Sequence, residues 1–134
     1  PVVSSAASDV YKRQIQEIPS DSFHGLTNLY SLKLSRNKIN SIDFRSLNGL
    51  NTLNSLDLEN NSISYIHRDA FVNCSNIKDL NMFENNLFDI PDAIKLVRSI
   101  NTIDLGGNFI NKLENESFNM LQNLLSLKLD HNTI

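Results

Sequence analysis

The chain repeats itself. Five stretches share the frame LxxLxLxxNxL: Leu29, Leu32, Leu34, Asn37, Ile39; Leu53, Leu56, Leu58, Asn61, Ile63; Ile77, Leu80, Met82, Asn85, Leu87; Ile100, Ile103, Leu105, Asn108, Ile110; and Leu124, Leu127, Leu129, Asn132, Ile134. Their starts lie 24, 24, 23 and 24 residues apart. A further apolar position follows at Ile42, Ile66, Ile90 and Leu113. Each back half then carries a large apolar residue (Phe23, Leu47, Phe71, Ile94, Phe118) and another three residues on (Leu26, Leu50, Cys74, Val97, Leu121). Self-similarity at this period excludes a chain with one irregular core and demands a stack of equivalent units.

Within LxL the two apolar residues alternate, so both face one side of a short strand. One unit cannot bury that side alone. Stacking units buries a continuous core and pairs their strands in parallel. The five asparagines Asn37, Asn61, Asn85, Asn108 and Asn132 fall where the chain leaves the strand. An Asn amide offers two donors and a two-lone-pair acceptor. It can therefore satisfy backbone groups of its own and the adjacent coil that burial would otherwise leave unpaired, and a structural ladder is expected there.

Extended backwards, the frame places Ile15 and Ile18 correctly, then asks for Asn at 13 and Leu at 8 and 5. The chain has Arg13, Ser8 and Ser5. Ser4–Gln14 reads SSAASDVYKRQ, which resembles a transposon-library sequencing adapter translated in frame. Residues 1–14 are therefore expected to be non-native, and residues 15–134 to form the array: a partial unit 15–28, units 29–52, 53–76, 77–99 and 100–123, and a partial unit 124–134.

A net charge of −3 is too mild to argue for a nucleic-acid or membrane-surface partner. No apolar run approaches the roughly 20 residues that span a bilayer. The single cysteine, Cys74, cannot form an internal disulfide and reads as a buried small hydrophobe in a leucine column. His24, His67 and His131 occupy different phases of different units, and no GxSxG, HExxH, CxxC or P-loop pattern occurs. No enzyme, metal or cofactor is expected.

These motifs match the leucine-rich-repeat family, in its 24-residue class with an xxFxxL back half, common in extracellular receptors and adhesion proteins. The run Ala70–Leu124, with its Asn-Cys-Ser, Ile-Pro-Asp-Ala-Ile and Asp-Leu-Gly-Gly-Asn segments, resembles the ectodomain of invertebrate Toll receptors. The resemblance implies an α/β leucine-rich-repeat solenoid, a horseshoe with a parallel inner sheet of about five strands and short helical or irregular outer segments. It also implies a single-pass parent, membrane-bound through C-terminal parts outside this chain, with a cytoplasmic signalling domain and a possible ligand-induced dimer.

In such a horseshoe the x positions of LxxLxLxxN face outward on the inner sheet. One column runs Lys33, Asp57, Asn81, Asp104, Lys128; the next Ser35, Glu59, Phe83, Gly106, Asp130; a third Arg36, Asn60, Glu84, Gly107, His131; a fourth Tyr30, Asn54, Lys78, Asn101, Leu125. Free of a core role, they can be tuned for a partner. The candidate ligand-binding set is Tyr30, Lys33, Asp57, Glu59, Asn81, Phe83, Glu84, Asp104, Lys128 and Asp130. Tyr30 and Phe83 stand out because aromatics are enriched in interface cores. The carboxylates make the face mildly acidic and suit a partner with basic groups.

Three glycosylation sequons occur, ranked Asn115, Asn60, Asn73, and matter only on the secretory route. The leading expectation is a cell-surface receptor segment on the extracellular face of the plasma membrane, binding a protein ligand or co-receptor and no nucleic acid. The alternatives are an adhesion or matrix protein, or an intracellular repeat adaptor. The short unit with Ile90-Pro91, a form common in cytosolic repeat proteins, keeps the last in play.

Overall fold

In the computed structural model, the described residues are 15–134 together with the backbone of 7–9. The elements run β1 (Ala7–Asp9), β2 (Ser31–Lys33), β3 (Ser41–Ile42), β4 (Ser55–Asp57), β5 (Tyr65–Ile66), β6 (Asp79–Asn81), α1 (Asp92–Lys95), β7 (Thr102–Asp104) and β8 (Ser126–Lys128). Six strands form one parallel sheet in the order β1-β2-β4-β6-β7-β8. The register is one repeat per step: Leu32 lies opposite Leu56, Leu56 opposite Leu80, Leu80 opposite Ile103, and Ile103 opposite Leu127. The chain is a solenoid, and β2, β4, β6, β7 and β8 each hold the first two positions of an LxL-type segment.

The sheet buries what the repeat sets inward. Leu32, Leu56, Leu80 and Ile103, and two residues on Leu34, Leu58, Met82 and Leu105, are buried in one continuous core. The back-half residues Phe23, Leu47, Phe71 and Ile94 close that core from the other side. Pairing continues past each strand, since Leu34, Leu58 and Met82 donate their amides to Asp57, Asn81 and Asp104 carbonyls at 2.8 Å. Each carbonyl so engaged is one fewer buried group without a partner.

The inward pattern frays at both ends, and in the last coil Ile134 is exposed and Leu124, Leu127 and Leu129 are only partly buried. Leu113, expected in the core, is 43% exposed, because no later coil lies over it among the described residues. At the other end, β1 pairs with β2 and sets Ser8 opposite Leu32, where the frame calls for Leu. The repeat's side-chain pattern thus ends at Ile15 while strand pairing takes one further step. Of residues 1–14, expected to be non-native, 1–6 and 10–14 lie outside the described residues.

A second sheet pairs β3 with β5 and stops there. His67 donates its amide to the Ile42 carbonyl at 2.8 Å. One period on stands Pro91, which has no N–H to offer Ile66. Its φ of −60° instead leads into α1, the single short helix among the described elements.

Candidate functional site

The asparagine column is fully engaged with backbone. Asn85 Nδ2 donates to the Met82 carbonyl of its own coil at 3.1 Å and to the Leu58 carbonyl of the coil before at 3.0 Å. Its Oδ1 accepts the Ile63 amide at 3.0 Å. Asn61 and Asn108 repeat all three bonds, bridging Leu34 with Leu58 and Met82 with Leu105 and accepting from Ile39 and Leu87. Asn132 does the same with Leu105, Leu129 and Ile110. Asn37 donates to Leu34 and accepts from Ile15. Each side chain is spent on holding coil to coil and none is available to a ligand.

The residue before each of these asparagines adopts a left-handed backbone: Arg36, Asn60, Glu84, Gly107 and His131 all have φ between 54° and 64°. From sequence this column is expected to be free surface. It is free in side chain but constrained in backbone, because the strand exit turns there. Gly107 and Asn60, residue types that tolerate φ > 0, were the signal in the sequence.

The LxL column divides likewise. Asp57, Asn81 and Asp104 each accept the amide two residues on, from Glu59, Phe83 and Gly106, at 3.0, 3.0 and 2.9 Å. These local turns brace the strand exits, so the three residues do help to hold the fold. Lys33 and Lys128, with no acceptor, cannot. The sequence reading also passed over the column Ser31, Ser55, Asp79, Thr102, Ser126. All but Ser31 line a hollow on the sheet face, and Thr102 Oγ1 donates to Asp79 Oδ1 at 2.6 Å.

The sheet face carries a hollow of about 420 Å³. Lys33, Asp57, Asn81, Asp104 and Lys128 all line it, with lysines at the flanks and carboxylates between. Tyr30, Glu59, Phe83, Glu84 and Asp130 lie outside the lining, at neighbouring positions of the same coils. Tyr30 is exposed and Phe83 half-buried. Burial pushes the Glu59 carboxyl above its ordinary range, and Asp57, Glu84 and Asp104 push the same way against Arg36. At the far end a hydrogen bond from His131 holds Asp130 below its ordinary range. The acidity inferred from sequence is thus concentrated over the middle coils.

A larger hollow, about 490 Å³, lies over the short unit beside Tyr65, Ile90, Pro91 and Lys112. Its lining charges balance, Arg68, Lys95 and Lys112 against Asp89, Asp92 and Glu114, and most are paired: Asp92 with Lys95 at 3.4 Å and Arg68 at 3.9 Å, and Lys112 with Glu114 at 3.5 Å. The concave hollow leaves charge uncompensated, so it is the stronger candidate. An exposed aromatic pair also escaped the sequence reading. Phe88 and Phe109, from successive coils, stack with centroids 5.7 Å apart beyond the strand exit. They occupy different phases of their units, so no column marked them.

Asn60, Asn73 and Asn115 are all exposed, and Asn73 Nδ2 donates to Asn48 Oδ1 at 3.0 Å. Cys74 is buried, with its thiol pushed up to about 12 by that burial. No His, Cys, Asp and Glu grouping able to hold a metal occurs among the described residues.

The leucine-rich-repeat family model matches residues 10–63 and 42–87. Osteomodulin of Bos taurus is 31% identical over 121 residues, covering 90% of this chain and 23% of its own length. A probable serine/threonine-protein kinase of Dictyostelium discoideum is 46% identical over 37 residues, 28% of this chain and 3% of its own. Among solved structures, the TLR13–ssRNA13 complex superposes with a TM-score of 0.85 at 32% identity, covering 92% of this chain and 18% of that one. A leucine-rich-repeat protein of Leptospira interrogans superposes at 0.82 and 22% identity, over 92% of this chain and 31% of that one, a likeness of fold alone. The chain spans less than a quarter of the curated relatives it matches.

Proposed function

This chain belongs to the leucine-rich-repeat family, and on that premise we propose that it is a protein-binding segment of a Toll-like receptor ectodomain on the extracellular face of the plasma membrane. The observation that carries the reading is the concave hollow, to which five consecutive coils contribute polar side chains outside the core. A sheet face built this way presents a long surface whose chemistry changes from coil to coil without disturbing the stack. The likeness to the TLR13 structure supports the receptor reading. That structure holds single-stranded RNA, but Asp57, Asp79 and Asp104 along this floor repel phosphate, with lysines only at its flanks. A protein ligand with basic groups fits better.

The likeness to osteomodulin favours a second reading, a matrix protein that contacts its neighbours without signalling. Exposed sequons at Asn115 and Asn60 fit either extracellular reading. In both, the chain acts by binding and carries no catalysis.

A photo-crosslinking residue placed at Asn81 in the parent protein, displayed on cells, tests the surface, with Arg98 on the outer side as control. The expected outcome is capture of a protein ligand from Asn81 and not from Arg98. Capture from Arg98 alone would move the site to the outer face. Glycopeptide mass spectrometry of the same material should find Asn115 occupied, and an unmodified Asn115 and Asn60 would remove the extracellular reading's support.

A further inference from the structure

Resting on that reading of the concave face, we propose that its anchor is the Phe83 ring, which receives an arginine side chain of the protein ligand between flanking carboxylates. The column that supplies Glu59, Phe83 and Asp130 has Gly106 between the last two. The missing side chain is filled by both neighbours. A Cβ added to Gly106 would lie 3.0 Å from Phe83 Cδ2, 3.1 Å from Phe83 Cε2 and 3.0 Å from Asp130 Oδ1. The Phe83 ring edge and the Asp130 carboxylate therefore converge over one glycine, and Gly106 is itself buried beneath them.

On the other side of the ring stands Glu59. Asp57, Glu84 and Asp104 all bear on its charge, while Arg36 is the one cation acting on it. A half-exposed aromatic ring with carboxylates on both sides has a defined complement. The ring's π face attracts a cation, and the carboxylates attract the same charge. Guanidinium fits better than ammonium because it is planar, stacks on an aromatic face, and offers donors in two directions at once. Glu59 and Asp130, on opposite sides of the ring, ask for that two-way donation. The Phe83 backbone is fixed: its amide is tied to Asn81 Oδ1 at 3.0 Å and its carbonyl accepts the Asn60 amide at 2.8 Å.

The test uses the whole chain, isotope-labelled, titrated with a blocked Gly-Arg-Gly tripeptide and with its citrulline counterpart, which keeps the shape and loses the charge. The arginine peptide should shift the Phe83 ring and Gly106 amide signals, and citrulline should bind at least about threefold more weakly, as expected for one exposed cation–π contact with flanking charge. Phe83→Leu should lower arginine affinity by a similar factor with the amide spectrum otherwise unchanged. Glu59→Gln, an exchange at a half-exposed site, provides a second arm should the leucine variant fold poorly. Equal binding of arginine and citrulline overturns the proposal. A lysine-rich peptide that still shifts Asp57 and Asp104 while Phe83→Leu has no effect overturns the aromatic anchor and leaves the acidic concave face standing. Absence of concave-face shifts with every basic probe overturns both.

Discussion

At the level of single residues, the ladder asparagines hold one coil to the next through backbone groups that burial would otherwise leave unpaired. Asn85→Ala leaves the buried Ile63 amide without its acceptor and takes one of two Asn donors from each of the Leu58 and Met82 carbonyls, which keep Asn61 and Asn108. An unsatisfied buried group costs about 1–3 kcal/mol, and with one amide stranded a loss of about that size is expected in urea unfolding. A loss below about 0.5 kcal/mol would show the ladder to be ornamental. Glu59 behaves oppositely. Its folded pKa is raised, so the charged form is disfavoured in the folded state. Stability from this group is full at acid pH and declines as pH rises past its unfolded value toward its folded one. Glu59→Gln should therefore raise the unfolding midpoint slightly at pH 7 and leave it unchanged at pH 3. Cys74, with its thiol near 12 and fully covered, should react with iodoacetamide only as fast as the protein opens. Labelling at the rate of a free thiol under native conditions would contradict its burial.

At the scale of elements, strand exits and outer turns carry the constraints that strands three residues long cannot supply. Every exit needs one left-handed residue, and only at Gly107 is it a glycine. Glu84→Gly should stabilise by about 0.5–1 kcal/mol through relief of that backbone. A decrease in thermal midpoint for this variant would mean that the Glu84 side chain matters more than its φ. The outer turn at Gly49 shows the reverse case. Its φ is 94°, and an added Cβ would lie 2.8 Å from the Phe23 carbonyl oxygen of the coil before. Gly25, at a similar φ of 87°, has open space. Gly49→Ala should thus cost clearly more than Gly25→Ala, and equal melting temperatures for the two would refute the close approach. The second sheet ends for an equally local reason, since Pro91 withholds the N–H that His67 supplies one coil earlier.

Across the whole molecule, each coil touches only its neighbours, so stability is a sum of unit and interface terms and the end coils are weakest. Leu127 and Leu129 of the last coil are only partly covered, whereas Leu56 and Leu58 are buried. Leu125 is 84% exposed. Hydrogen exchange should follow this gradient, with the Leu58 amide protected longer than the Leu105 amide, whose acceptor Lys128 sits in that coil. The chain by itself should melt broadly or associate through this uncovered apolar side. A sharp transition with monomeric sedimentation would show that the coils unfold as one unit.

What the sequence by itself determined is whatever recurs. The parallel sheet, its one-repeat register, the inward rows and the position of the five asparagines all follow from identical residues at a fixed period, because identical units can bury identical faces only by stacking. The tertiary structure decided what depends on two coils meeting at unlike residues. The convergence of Phe83 and Asp130 over Gly106, the Phe88–Phe109 stack and the acidic concentration around Glu59 join side chains from different units at non-equivalent or differently filled positions. A periodic frame is blind to such pairs, since it averages over the very differences that make one coil unlike the next.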